Sequence, residues 1–215
     1  MKFISFYILT VGMLFLIGCK KDNEQSGVNF NVNTIGRTAT IGRLAGTTGT
    51  LIWTSGYASA TEIEFEAENG NTEVEYESTA NQRIDLFAPI STLGFVAIPP
   101  GNYEEVEFEI HLSSTSTTPA LELRGLHNTT PVVFRIITPL EIEAEFEDVT
   151  ITPSNSFTAT ISLNLALLTQ GITDAAFGNA TLTNGEIIIS SNSNTTLYNI
   201  MIDNLSEIDN VELDD

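Results

Sequence analysis

The segment Thr61-Glu62-Ile63-Glu64-Phe65-Glu66-Ala67-Glu68 sets a carboxylate at every second position and an apolar side chain between. A two-residue period suits one regular conformation, extended chain, in which successive side chains point to opposite faces. Wound as a helix, the same residues would spread charge around the whole circumference and leave no apolar stripe to bury. Three further segments carry the same code: Glu73-Val74-Glu75-Tyr76-Glu77, Glu105-Val106-Glu107-Phe108-Glu109 and Glu141-Ile142-Glu143-Ala144-Glu145. The chain is therefore expected to fold as sheet. Ile63, Phe65, Val106, Phe108, Ile142 and Phe146 turn inward, and their acidic neighbours meet water. The uneven spacing of the four segments points to shared strand chemistry rather than internal duplication.

Asn69-Gly70-Asn71 separates the first two segments. It marks a hairpin turn, because Asn and Gly tolerate positive φ. The pattern predicts further strands over 50–54, 83–87, 93–98, 103–112, 119–124, 132–137, 139–147, 157–163 and 185–190. Turns rich in Pro, Gly, Ser, Thr and Asn divide them, notably Ile98-Pro99-Pro100-Gly101-Asn102 and 113–119. Many short strands between such turns predict an all-β fold, a β-sandwich of antiparallel strands. Residues 163–171 are rich in helix formers and stop at Gly171, and a short helical turn is expected over 173–177. Leu197, Ile200, Met201, Leu205 and Ile208 recur at helical spacing, so an amphipathic C-terminal helix is expected over 195–208, capped by Asn194 or Thr195 and covering an open sheet face or edge.

The N-terminus has a different logic. Lys2 precedes an apolar run over residues 4–17, and Leu16-Ile17-Gly18-Cys19 has the form of a bacterial lipobox. A positive start, a short apolar stretch and a small residue before the cut are the parts of a secretory signal. The run is shorter than the ~17–25 residues a spanning helix needs. Residues 1–18 are thus read as a lipoprotein signal peptide, and Cys19 as the acylated N-terminus of the mature chain. Palmitate-type chains contribute ~0.8 kcal/mol per buried methylene, so two or three hold a protein firmly to a membrane. Cys19-Lys20-Lys21-Asp22-Asn23-Glu24 resembles the export signals of surface lipoproteins of the Bacteroidetes type, which places the protein at the outer membrane, facing the cell surface. Residues 19–33 are polar and Asn-rich and read as a flexible tether before a single domain over 34–215.

Acylation of the sole cysteine leaves no disulfide within the chain, so the fold must stand on packing. Removal of the signal leaves roughly 200 residues, room for one generous domain or two small ones. The 28 acidic and 8 basic residues give a net charge of -20. Such a charge repels phosphates and excludes nucleic acid as a partner. It suits a partner that is neutral, cationic or bridged by divalent metal.

No phosphate-cradling glycine loop, zinc-protease helix or nucleophile elbow occurs in the sequence. His111 ends a strand and His127 lies in a turn-like stretch, and neither has a third partner nearby in sequence. The chain is accordingly expected to be non-catalytic. If the glutamate strands neighbour one another, their outer faces form a field of carboxylates suited to Ca2+, with Glu62, Glu64, Glu66, Glu73, Glu75, Glu107 and Glu143 as candidate ligands. A solvated face, or four strands placed in different sheets, is the plainer alternative. Arg37, Arg43, Arg83, Arg124 and Arg135 are the available counter-charges. Trp53 and Tyr57 could stack on a sugar ring, or Trp53 and Tyr103 could anchor the core, with the Tyr103 hydroxyl tied to backbone.

Arg83-Ile84-Asp85-Leu86, Leu93-Gly94 and Ile98-Pro99-Pro100-Gly101-Asn102-Tyr103-Glu104-Glu105-Val106 together resemble the middle of an uncharacterised Bacteroidetes-type envelope lipoprotein domain. Pro131-Val132-Val133-Phe134 and residues 161–171 extend the similarity to about 50–170. Pro100 stands where that family has alanine. The resemblance implies a β-sandwich at the envelope and brings no functional residue with it. The expectation is a lipid-anchored, non-catalytic envelope protein that binds glycan or protein or has a structural role. The alternatives are a calcium-dependent surface assembly module built on the glutamate strands and an unrecognised envelope hydrolase.

Overall fold

The computed structural model describes residues 26–44, 47–70, 73–79, 81–153, 156–205 and 209–214. The signal segment 1–18, Cys19 and the first part of the expected tether lie outside the described residues, as do 206–208 of the expected C-terminal helix. The fold is all-β with two short helices. In chain order the strands are β1 (Gly27–Ile35), β2 (Thr38–Leu44), β3 (Thr47–Glu68), β4 (Glu73–Ser78), β5 (Gln82–Asp85), β6 (Ser91–Ala97) and β7 (Gly101–Leu112). They continue as β8 (Leu121–His127), β9 (Thr130–Ile136), β10 (Leu140–Ile151), β11 (Ser156–Asn164), β12 (Leu182–Thr183), β13 (Glu186–Ile189) and β14 (Asp209–Asp214). The helices are α1 (Asp174–Gly178) and α2 (Thr195–Asp203).

The 22-residue β3 organises the molecule. Along one edge it pairs in succession with β2, β5 and β4, and along the other with β8 and β7. With β10, β9, β13 and β12 this makes a 10-stranded sheet. The strand keeps its faces only by slipping phase twice. Leu51 and Trp53 are buried, then Ala58 and Ala60, then Ile63, Phe65 and Ala67. Each switch falls at a register shift, one between Trp53 and Ser55 against β8 and one between Ala60 and Glu62 against β7. These are β-bulges, in which an additional residue bends the strand and increases its twist.

The inner face of the long sheet has two different covers. The 4-stranded sheet β14-β11-β1-β6 packs over the C-terminal half of β3. Phe30 of β1 stacks on Phe108 of β7 at 4.1 Å and meets Phe65 of β3 at 5.4 Å. This half is a sandwich, with Ile63, Phe65, Val106 and Phe108 buried as the alternation requires, while Ile142 and Phe146 on the outermost strand are only partly covered. Over the other half lie the helices. Tyr198 of α2 meets Phe134 of β9, and Leu197 and Met201 are buried beside it. The Asn204 side chain donates to the carbonyls of Leu168 and Gln170, fixing the end of α2 to a 3-10 turn at Leu167–Thr169.

Four expectations need correction. The expected tether over 19–33 is strand from Gly27, and β1 is an interior strand of the smaller sheet. Its asparagines read as loop residues, yet Val28, Phe30 and Val32 alternate with Asn29, Asn31 and Asn33, and burial of the apolar set outweighs the poor strand propensity of Asn. The strands are not all antiparallel: β1 pairs parallel with β11, and β9 with β13. The helix formers at 163–166 begin as strand, because Phe157, Ala159, Ile161 and Leu163 share one buried face through Asn164. The segments 50–54 and 61–68 are one strand, and the bulges hid its continuity. Other features agree with the sequence. Gly70 adopts φ 70 in the turn after β3, and the Tyr103 hydroxyl donates to the Pro99 carbonyl at 2.8 Å.

Candidate functional site

The four glutamate strands are neighbours, in the order β4-β3-β7-β10. Their register aligns the carboxylates in rows perpendicular to the strands. Glu77, Glu64, Glu109 and Glu143 form one row; Glu75, Glu66, Glu107 and Glu145 the next; Glu73, Glu68, Glu105 and Glu147 the third. His111 stands in the following row, between Glu62 and Glu141. Sheet pairing sets directly opposed side chains ~5 Å apart, so each row is a line of like charges at contact distance.

No arginine reaches these rows among the described residues. Among the described residues the cationic group nearest to them is the His111 imidazole when protonated. Its Nε2 lies 3.1 Å from Glu109 and 3.4 Å from Glu64, and its Nδ1 3.8 Å from Glu141. The approach to Glu109 is short enough for ionic contact but poorly aligned, and Nε2 makes no hydrogen bond. Three of the carboxyls hold a proton more readily than a free glutamate does. Partial burial, then a proton shared with Glu109, then the charges of Glu109 and Glu143 push the Glu107 carboxyl up to about 7. Glu66 is raised chiefly by a proton shared with Glu68, and Glu73 chiefly by one shared with Glu75.

This geometry offers oxygen-rich triads. Glu62, Glu64 and His111; Glu109, His111 and Glu141; Glu66, Glu68 and Glu73; and Glu107, Glu109 and Glu143 each bring three ligand atoms within 4.8 Å of one another. A shallow depression of about 240 Å3 runs between them, lined in part by Glu64, Glu66, Glu75, Glu107 and Glu109. Of the candidate ligands, Glu62, Glu64, Glu66, Glu73, Glu107 and Glu143 fall in the triads, and Glu75 lines the depression. Glu68, Glu109 and Glu141 belong with them although sequence reasoning did not single them out. The same alternating code would have found them once the strands were known to be adjacent.

The aromatic candidates part company. Trp53 is 2% exposed and lies in the core, so it offers no stacking surface to a sugar, correcting that expectation. It sits on the inner face of β3 opposite Gly125 of β8, where a Cβ on the glycine would strike the Ile52 carbonyl at 2.4 Å. Tyr57 points to the outer face, but the Arg83 guanidinium stacks on its ring at 3.8 Å. The Tyr57 ring and the Arg83 side chain border a second depression, of about 330 Å3.

His127 is buried rather than free in a turn. It stacks on Phe177 at 4.6 Å and meets Asp174 at 2.9 Å, which docks α1 onto the end of β8. Thr173 caps that helix by accepting from the Ala176 N–H. The pair is explained by this packing.

Compared with family models, curated proteins and solved structures, the chain matches none of them.

Proposed function

We propose that the chain is a non-catalytic binding protein of the cell envelope, held to the outer membrane by acyl chains on Cys19, and that the carboxylate rows are its binding surface. The ligand that suits them is a hard divalent cation, Ca2+ above all, which takes six to eight oxygens and tolerates irregular geometry. A cation lodged between strands would in turn bridge the surface to neutral or acidic envelope molecules such as glycan or protein.

One observation carries this reading: three in-register rows of four glutamates without an arginine among them. A solvated face needs no such register, and opposed like charges weaken the sheet that bears them. The Glu107 carboxyl is raised first by partial burial and then by its neighbours Glu109 and Glu143, with no cation beside it among the described residues to offset them.

The test is thermal melting of the chain at pH 8 with Ca2+, with Mg2+ as the control. Calcium at tenfold its Kd should add about 1.4 kcal/mol, a rise of roughly 3–6 °C for a domain of this size. Magnesium demands tighter octahedral geometry and should add much less. Equal shifts for the two ions, or none for either, overturn the reading and leave the rows a charged, solvated face.

A further inference from the structure

The chain carries five arginines, and three of them converge at one place on the outer face of β3. There Asp85 of β5, Tyr57 of β3, Glu122 of β8 and Arg135 of β9 stand opposite one another in a single row. Arg124 lies one pair along, opposite Ser55, and Arg83 one pair the other way, opposite Ser59.

Glu122 is the centre of this cluster. Its side chain is 8% exposed, unlike any glutamate in the carboxylate rows, because arginines cover it. Arg124 Nε donates to one carboxylate oxygen and Arg135 Nε to the other, both at 2.7 Å. Each guanidinium is thereby fixed through its inner edge. A guanidinium has five N–H donors in a rigid fork, so the terminal amino groups stay available on the outer edge. Neither the Arg124 nor the Arg135 side chain makes another hydrogen bond among the described residues. Arg83 makes no ion pair there either, and the Tyr57 ring holds it flat. The Asp85 carboxylate is engaged locally, accepting from the Phe87 N–H at 2.9 Å.

The depression beside these groups is lined by Ser55, Gly56, Tyr57, Arg83, Asp85, Glu122 and Arg124. At about 330 Å3 it suits one sugar or amino-acid unit. Burial and the charge of Glu122 raise the Tyr57 hydroxyl above its ordinary value, so the ring presents a neutral O–H rather than a phenolate. Along β3 the nearest glutamate of the carboxylate face, Glu62, is five residues or ~16 Å from Tyr57, beyond the ~8 Å over which salt screens exposed charge.

From this we infer a second binding site, opposite in sign to the carboxylate rows: the depression takes the carboxylate of a small organic acid. Arg83 and Arg124 grip it by their free N–H edges, and Ser55 and the Tyr57 hydroxyl stand at its wall. Planar carboxylate is favoured because paired guanidinium N–H groups match its two oxygens. Two sources offer such a carboxylate, a uronic acid in glycan and the C-terminus of a peptide.

The test is calorimetric titration of the full chain in detergent at low salt, with glucuronate, N-acetylalanine and inorganic sulfate as probes. Saturable binding of either carboxylate is expected, weakened about tenfold or more by Arg83→Gln and by Arg124→Gln. Arg83 is exposed and makes no ion pair among the described residues, so the melting midpoint of Arg83→Gln should stay near that of the parent and separate lost binding from lost fold. Arg124→Gln removes one of the two partners of the buried Glu122 and should lower the midpoint as well as the affinity. Tighter binding of glucuronate assigns glycan as the source, and tighter binding of N-acetylalanine assigns peptide. Absence of saturable binding by both carboxylates, binding unchanged in both variants, or sulfate binding as tightly as glucuronate overturns the assignment.

Discussion

The two halves of the long sheet share a strand and an outer face but treat charge in opposite ways. Beyond the second bulge of β3, glutamate faces glutamate across four strands, and Glu107, Glu66 and Glu73 are pushed toward holding a proton. Before it, one glutamate is buried between two arginines, each bonded at 2.7 Å. The first half holds unspent negative potential and loses stability for it. The second is internally satisfied and keeps its donors for something else. Where a carboxylate sits on a sheet matters less than what its register places opposite.

Substitutions can break this contrast. The largest effect is expected from Phe30→Ala, which removes the ring that joins the small sheet to the carboxylate half. Truncation of a fully buried phenylalanine costs about 3–5 kcal/mol, read from the urea midpoint. If both halves form one cooperative unit, far-UV and near-UV transitions will still coincide. Separate transitions would show that the halves unfold independently.

Next comes Glu122→Ala, which leaves two guanidiniums side by side without their carboxylate. Breaking a fully buried pair costs ~3–5 kcal/mol. Here the arginines are 45% and 36% exposed, so solvent takes up part of that and about 2 kcal/mol is expected. In the other half, Glu107→Gln should have the opposite sign, raising stability at pH 8 by about 0.5–1 kcal/mol through loss of a like-charge contact. Destabilisation by Glu107→Gln of the size expected for Glu122→Ala would erase the distinction between the halves.

The smallest effect is the most specific. The folded-state values of Glu107, Glu66 and Glu73 are raised, so the folded protein holds more protons than the unfolded chain. Stability from Glu107 is complete below the unfolded value near 4.5 and is lost as pH rises through about 7, and Glu66 and Glu73 act in the same direction. The melting midpoint should fall across that window. Glu107→Gln should flatten the fall, and the calcium effect should grow as the carboxyls ionise. A midpoint that rises with pH over the same range would contradict proton sharing in the rows.

The carboxylate half was largely legible because its code is local: alternation sets the faces and Asn69-Gly70 sets one turn. What local reading left open was adjacency. Whether Glu66, Glu107 and Glu145 share a row depends on pairing between strands far apart in sequence. The arginine cluster was invisible for the same reason, since Arg83, Arg124 and Arg135 lie on three strands and meet only through the register of β5, β3, β8 and β9. β1 was missed because asparagine is a turn former by habit, and only contact with Phe65 and Phe108 makes Phe30 a core residue. Parallel pairing of β1 with β11 has no local signal at all, because a crossover of more than a hundred residues separates them.

The bulges of β3 give its two ends different tolerances to a changed chain length. At Thr54 and Thr61 the partner strand has nothing opposite. Deleting either threonine would straighten a kink and leave every later side chain on its present side. Deleting Ala58, in an evenly paired stretch, would instead turn Ser59 and Ala60 over until loss of the bulge at Thr61 took up the missing residue. Two threonines thus act as slack in an otherwise rigid reading frame of faces.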